Sequence, residues 1–347
     1  MNKSIKDYGY TEFYEKQLEN FNINNNELIV GRVIERQREN FKIVTDFGES
    51  DAKLKGALFF NEQVYNEQPT VGDFVIVKHN PIGEDVIYKV FERQSKFSRM
   101  DSFNEIEQLV AVNFDYVCIT TSLNYDFNIK RIERYLTIAW QSGTTPIVIL
   151  TKRDLCEDYS EKVLMVEQIA IGVKVIALSS VTGEGIDELK QIVKPGKTVV
   201  FLGSSGVGKS SLVNAIAGEE IMKVSEIREN DSKGRHTTTH RQLLMLSNGS
   251  MVIDTPGMRE IQMWTALDGL DETFKNIINI SKNCRFRDCS HEKEPGCAVR
   301  KALENGELSE EQWKNYIKLK KEIQYAEKKE KVREREANKL SRKNRRC

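Results

Sequence analysis

The chain carries no net charge: 52 Lys and Arg balance 52 Asp and Glu over 347 residues. No global field draws such a protein onto nucleic acid, and DNA is not an expected partner. Long hydrophobic runs are also missing. None approaches the roughly eighteen apolar residues that a membrane span needs. Met1-Asn2-Lys3-Ser4-Ile5-Lys6-Asp7-Tyr8 lacks the apolar core of a signal peptide. These absences argue against a membrane partner and make a cytoplasmic protein the expectation. Cysteine is scarce, with six in all. In a reducing compartment a cluster of them reads as metal ligands before disulfides. What remains, 39% hydrophobic and 30% charged residues, suits a soluble globular protein with long solvated helices. The length allows two or three domains, and a monomer is expected.

Charge is unevenly spread. Residues 328–347 hold ten Lys and Arg against three Glu, so the rest of the chain is correspondingly acidic. Such a tail fits contact with RNA phosphates, or is a solvated charged helix.

Residues 1–25 are polar and Asn-rich, a short helix and a linker. Five strand-like runs follow at 28–34, 41–44, 57–60, 73–77 and 86–90, separated by turn residues Gly48, Gly72 and Pro81-Ile82-Gly83. They suit a small barrel of the OB type, with an SH3-like barrel as the rival. Beyond Arg99 strands (116–121, 146–150, 173–178, 198–202, 243–246, 251–253) alternate with helices (129–141, 161–171, 185–193, 210–217). That alternation predicts a mainly parallel sheet wrapped by helices. Residues 261–347 lose strand character. They hold a cysteine cluster and a long charged helix, where Trp313, Tyr316, Ile317, Leu319, Ile323 and Tyr325 suit a face packed on the neighbouring domain. The expected domains are 1–98, an N-terminal extension and barrel; 99–260, an α/β domain; and 261–347, a mainly helical domain with a basic tail.

Gly203-Ser204-Ser205-Gly206-Val207-Gly208-Lys209-Ser210 reads G-x-x-x-x-G-K-S, directly after the apolar run 198–202. A buried strand, a glycine turn and a helix start make a phosphate cradle, or P-loop. The glycines let successive backbone N–H groups point at oxyanions. Lys209 would reach the β- and γ-phosphates, and the Ser210 hydroxyl would hold Mg²⁺. Ser211 continues a helix whose positive end faces the phosphates.

Asp254-Thr255-Pro256-Gly257 follows the run 251–253, 44 residues after Ser210. D-x-x-G after a strand is what a nucleotide switch needs. Asp254 would hold Mg²⁺ through water and the Gly257 N–H would meet the γ-phosphate; alone, the tetrapeptide is equally a turn. The loop between contains Gly234-Arg235-His236-Thr237-Thr238-Thr239-His240. A threonine there, Thr238 or Thr239, can ligate Mg²⁺ and order the loop only when a γ-phosphate is present.

Thr151-Lys152-Arg153-Asp154 follows the run 146–150 and resembles the guanine-reading motif N/T-K-x-D. The Asp154 carboxylate can accept from both N1–H and N2–H₂ of guanine, whereas adenine presents an acceptor at N1. Lys152 would lay its stem along the base. The stretch 177–185, with Ser179 and Ser180, resembles the S-A-x-x-G-x-G loop that completes a base pocket. Thr182 also reads as the cap of the next helix.

The motif order is permuted. Conventional GTPases run P-loop, threonine loop, D-x-x-G, base motif, Ser-Ala loop; here the last two come first. The switch therefore leads straight into 261–347, and movement after Gly257 would pull on that segment. Met258 stands where Ras-type enzymes carry a water-positioning Gln, so intrinsic hydrolysis should be slow unless a partner or another group supplies that function. His236 is the candidate stand-in. Finally, Cys284, Cys289, His291 and Cys297 supply three thiolates and an imidazole within fourteen residues. That set fills a tetrahedral zinc site with no open position, so it reads as structural, not hydrolytic.

Together these residues resemble the ribosome small-subunit-dependent GTPase A family, over nearly the whole chain. The resemblance is most specific at 203–211, at 234–239, and at Phe286-Arg287-Asp288-Cys289-Ser290-His291 through Glu294-Pro295-Gly296-Cys297. It implies a multidomain fold: an OB-type barrel, a circularly permuted α/β P-loop GTPase domain and a C-terminal zinc domain. It also implies GTP and GDP with Mg²⁺, one structural Zn²⁺, GTP hydrolysis stimulated by the small ribosomal subunit, and contact with ribosomal RNA. Thr151 departs from the commoner Asn, which predicts a lost bond to the P-loop and somewhat weaker nucleotide binding. Two other classes fit parts of the sequence: an RNA-binding scaffold with a static nucleotide, and a P-loop ATPase in which Asp154 is accidental.

Overall fold

The computed structural model describes residues 3–21, 28–37, 40–56, 68–100, 107–222, 241–254 and 267–344. They fall into two compact units, one drawn from 1–127, 142–164 and 173–261, the other from 128–141, 165–172 and 262–347. Among the described residues no helix is long and apolar enough to cross a membrane.

In the first unit, a short helix α1 (Glu12–Glu19) precedes a barrel of β1 (Leu28–Gln37), β2 (Asn40–Thr45), β3 (Gly48–Leu54), β4 (Phe74–Lys78) and β5 (Asp85–Val90). The strand order is β1-β2-β3-β5-β4, and β4 returns to β1 from Leu28↔Lys78 to Arg32↔Phe74. Only β3 and β5 pair in parallel. This closed Greek-key order matches the expected OB type. Alternation along β2 turns Phe41 and Ile43 inward, where they meet Val33, Ala52, Val75, Val77 and Ile87.

The strand expected at 57–60 lies outside the described residues. The third barrel strand is Gly48–Leu54, opened by the glycine that the sequence suggested as a turn. Its sequence GESDAKL buries only Ala52, so it carries no hydrophobic signal. Main-chain pairing with β2, from Asn40↔Lys53 to Thr45↔Gly48, fixes it instead.

The second half of this unit is a sheet in the order β10 (Lys174–Ala177), β9 (Thr145–Thr151), β8 (Tyr116–Ser122), β11 (Thr198–Leu202), β13 (Met251–Asp254), β12 (Arg241–Met245). All pairs are parallel except β12 with β13. The helices α3 (Ser160–Ile169), α4 (Ile186–Ile192) and α5 (Lys209–Ala217) alternate with these strands. Strands buried on both faces explain the unbroken apolar runs: all five residues of β11 are buried. A hairpin of β6 (Lys96–Met100) and β7 (Glu107–Val112) joins barrel to sheet and had no sequence expectation. Nor did the continuity between the two halves. A bulge between Val33 and Glu35 turns β1, so that Glu35 and Arg36 pair with Gln242 and Arg241 of β12.

Arg32, only 1% exposed, locks that junction. Its guanidinium donates to the carbonyls of Tyr8, Gly72 (3.3 Å) and Asn113 (2.8 Å), with Met251 sulfur at 3.5 Å. The Phe74 ring centroid lies 4.8 Å away. Burial draws its pKa down to about 10, so it stays charged at neutral pH. Beside it, buried Asp73 receives two bonds from Arg93, at 2.7 and 2.8 Å, and one from the Thr70 N–H.

The second unit is helical: α2 (Ile129–Gln141), α6 (Leu267–Thr273), α7 (Lys275–Ser281), α8 (Ala298–Glu304) and α9 (Glu310–Asn344). Thus α2, which precedes the base motif in sequence, groups with the C-terminal helices. It approaches α6 so closely that a Cβ on Gly269 would lie 2.2 Å from the Thr137 carbonyl. Arg134 grips the Glu322 carboxylate with bonds of 2.8 and 2.6 Å. The stripe expected on α9 is present, with Tyr316, Leu319 and Ile323 buried. It packs within this unit, Tyr316 against Phe274 at 5.4 Å, while Tyr325 is exposed.

Two consequences are measurable. Arg32→Ala strands three carbonyls and should cost roughly 3 kcal/mol, read as a lowered urea midpoint at unchanged slope. A loss below about 0.5 kcal/mol would make the contacts incidental. Glu133 of α2 accepts from Asn315 of α9, yet its Oε1 has no partner among the described residues. Burial raises its pKa to about 7. A carboxyl raised in the fold binds its proton more tightly there than in the unfolded chain, so stability falls as pH rises from about 4.5 to 7. Glu133→Gln should flatten that slope in thermal melts; an unchanged slope would contradict it.

Candidate nucleotide site and metal centre

Parallel pairing puts the C-terminal ends of β9, β11 and β13 on one edge of the sheet, the edge where open α/β sheets bind ligands. Each of those ends carries a predicted motif. Thr151 closes β9, Gly203 follows β11, and Asp254 closes β13.

The P-loop is built from that edge inward. Gly203 has φ 155°, and a Cβ there would sit 2.3 Å from the Thr120 carbonyl of β8. Only glycine lets the loop leave the strand so close to its neighbour. Gly208, at φ 96°, caps α5, and Lys209 opens it. Ser205 and Gly206 are exposed at the tip, whereas Val207 is buried and Ser210 and Ser211 are half-buried on the first turn. The Lys209 ammonium donates to the carbonyls of Gly203 and Ser204, both at 2.7 Å, which centres its charge within the loop.

The base motif is tied to this loop. Thr151 is 3% exposed, and its hydroxyl donates to the Val207 carbonyl at 2.6 Å, across 56 residues of sequence. The bond to the P-loop expected to be lost with Asn is therefore made by the threonine itself. Lys152 adopts the left-handed conformation (φ 59°), starting a single turn from Arg153 to Leu155. That turn leaves Asp154 exposed, free to meet a base. Arg153 lies over the Tyr159 ring at 4.5 Å and 3.7 Å from Glu184, while its N–H bonds Leu178. Buried Ser179 accepts from the N–H groups of Val181 and Thr182, each at 3.1 Å, shaping the second base loop; Ser180 is half-buried. Thr182 does not cap the next helix. Gly185 occupies the cap of α4, and the Thr182 hydroxyl accepts from Glu184.

Asp126 was not singled out from sequence. Its carboxylate accepts from the Ser204 hydroxyl at 2.8 Å, placing an acid against the first turn of the P-loop. The signal was the Asn124-Tyr125-Asp126 loop just after a strand, where the Asn124 side chain accepts from Ser122 and the Asp126 N–H. His236, Thr238, Thr239, Gly257 and Met258 lie outside the described residues.

The second unit holds the candidate metal centre. The ligand atoms of Cys284, Cys289, His291 and Cys297 all lie within 4.8 Å of one another. Cys284 and Cys297 sulfurs are 4.0 Å apart, and His291 Nδ1 is 3.5 and 3.4 Å from them. A tetrahedron with Zn–S bonds of 2.3 Å has edges of about 3.8 Å, so the donors fit zinc in both chemistry and spacing. Cys297 also caps α8, accepting from the Arg300 N–H. Burial, with Lys320 nearby, lowers the His291 pKa and favours the neutral imidazole that binds metal. Trp313 meets the His291 ring edge-on at 5.7 Å.

Thr151→Val removes the hydroxyl at constant volume and strands the Val207 carbonyl. Guanine-nucleotide affinity should fall about tenfold, and Thr151→Asn should restore it; equal affinity in the valine variant would detach the bond from binding. Zinc should measure as one per chain. Its removal by a strong chelator should change Trp313 emission without altering nucleotide affinity, and silent emission would contradict the His291–Trp313 contact.

The family model described as RsgA GTPase matches residues 90–264. A Listeria innocua protein named small ribosomal subunit biogenesis GTPase RsgA 1 is 46% identical over 321 residues, 92% of this chain and 90% of its own. A Methanosarcina acetivorans protein named small ribosomal subunit biogenesis GTPase RsgA is 39% identical over 306 residues, 88% of this chain and 82% of its own. The crystal structure of YjeQ from Thermotoga maritima superposes with a TM-score of 0.64 at 30% identity, covering 84% of this chain and 97% of that one. YloQ, a circularly permuted GTPase, gives 0.62 at 25% identity, covering 87% and 96%. With the family model matching half of its length and relatives 39–46% identical over most of both chains, the chain belongs to the RsgA GTPase family.

Proposed function

We propose that this protein hydrolyses GTP to GDP and phosphate on the small ribosomal subunit, during late maturation of that subunit. The observation that carries the reading is the Thr151–Val207 bond, which ties the Thr151-Lys152-Arg153-Asp154 motif to the glycine loop at one sheet edge. Asp154 selects the base, and the loop N–H groups from Ser204 to Ser210 bind the phosphates. Lys209 offsets the charge that develops on the transferred phosphoryl group. Ser210, Asp254 and Thr238 are the residues that would hold Mg²⁺, which would draw off negative charge from the phosphates. Thr239 belongs to the same switch. His236 is assigned to orienting the attacking water, since Met258 has no group to do so.

Domains at 1–98, 99–260 and 261–347 divide the work in this reading. The barrel and the zinc segment contact ribosomal RNA, while the central domain times release. The protein acts in the cytoplasm as a monomer. The P-loop alone would serve an ATPase equally well; the exposed Asp154 tied through its motif to the loop favours guanine.

Phosphate release from GTP by the protein alone should be slow. Purified small subunits should raise it at least tenfold, and ATP should give none under either condition. GTP turnover indifferent to the subunit would remove the ribosomal assignment, and absence of turnover with subunits present would leave the nucleotide a static ligand.

A further inference from the structure

The loop between the first two metal ligands, Arg285-Phe286-Arg287-Asp288, is pinned at both ends by Cys284 and Cys289. It is also pinned from the side, because the Arg285 N–H donates to the Gly296 carbonyl at 3.2 Å. A Cβ on Gly296 would lie 3.1 Å from Arg285 Cβ, so the two arms of the knuckle are in contact. On this rigid loop Phe286 is 42% exposed, against the 0–2% of unit-core residues such as Phe274 and Leu319. The Arg285 guanidinium lies 5.6 Å from its ring centroid. A large ring 42% exposed on a pinned loop leaves much of its apolar surface in water.

The surrounding charge selects its partner. Residues 282–301 hold six Lys and Arg against three carboxylates. Arg285, Arg287 and Lys293 are exposed, and among the described residues they make no ion pair. The carboxylate of Glu294 is occupied within the knuckle: it accepts from the Ser290 hydroxyl and from the N–H groups of Ser290 (2.9 Å), Glu292 (3.1 Å) and Lys293 (3.1 Å). A protein pocket for Phe286 would have to desolvate these cations; a polyanion would neutralise them. Exposed aromatic faces beside unpaired Arg and Lys are how single-stranded nucleic acid is held, with bases stacking on the ring and phosphates on the cations.

We infer that Phe286 is a stacking platform for an unpaired RNA base, with Arg285, Arg287 and Lys293 on the flanking phosphates. This rests on the ribosomal reading above and names the residues by which the zinc segment would meet RNA. The ring must be aromatic, not merely apolar, so leucine cannot replace it. The platform stands apart from the metal ligands and the nucleotide site, so intrinsic GTP hydrolysis and zinc content should be unchanged by its substitution.

The test uses the full-length protein and two probes, purified small subunits and a twelve-nucleotide single-stranded RNA of mixed sequence. Phe286→Ala and Phe286→Leu should each weaken binding of both probes about tenfold at fixed salt, with one zinc per chain retained. Phe286→Trp should bind normally, and its added emission, over the background of Trp140, Trp264 and Trp313, should be quenched by the oligonucleotide. Leucine binding as well as phenylalanine, with no quenching in the tryptophan variant, would overturn the platform and point to a protein pocket. Wild-type protein whose GTP turnover ignores the subunit, but whose Phe286→Trp variant is quenched by RNA, would fail the ribosomal reading and leave the platform standing.

Discussion

One hydrogen bond joins the two halves of the nucleotide site. The predicted base motif closes β9 and the P-loop follows β11, and β8 lies between them in the sheet. Nothing local in sequence fixes the distance between those ends. The parallel register of three strands sets it, and the Thr151 hydroxyl on the Val207 carbonyl pins it. Thr151 is 3% exposed, and at that depth an unpaired carbonyl is expensive. Gly203 serves the same end sterically. Its packing on the Thr120 carbonyl decides where the loop begins, and therefore where Lys209 and Ser210 stand.

The permutation becomes intelligible on that sheet. Because the base motif, the P-loop and Asp254 each sit at a strand's C-terminal end, the order in which the chain visits those strands can change while their arrangement does not. What the permutation changes is the connection. In chain order the Cys/His cluster now follows Asp254, and the strand before Asp254's own, β12, pairs with the barrel strand β1. Arg32 reinforces that second connection by bonding carbonyls of three separate segments, and charge placed there tolerates little rearrangement. The barrel is thereby an extension of the sheet that carries the P-loop.

Much of this was legible in the residues, for physical reasons that differ by element. The P-loop, the base motif and the Cys₃His set are written in side-chain and glycine types at fixed spacing, because their chemistry demands those types. The strand β11 and the helix α2 appear where the apolar pattern places them, since burial on two faces or one stripe leaves a clear period. Elements held by main-chain bonds left no such mark. The polar strand β3, the hairpin β6–β7 and the β1–β12 pairing are stabilised by backbone register, which side-chain pattern does not encode. The contacts of single polar groups were equally hidden. Thr151 looked like a weakened asparagine until its rotamer placed the hydroxyl on the loop, and Asp126 emerged only through Ser204.

In the proposed function, Asp154, held beside the P-loop by Thr151, makes this a guanine-specific site. Calorimetric titration with GDP, ADP and xanthosine diphosphate, on the wild type and on Asp154→Asn, tests it most directly. GDP should bind at least a hundredfold tighter than ADP in the wild type, with a switch toward the xanthine nucleotide in the variant. Equal affinity for GDP and ADP, or a variant that keeps the wild-type order, would contradict it.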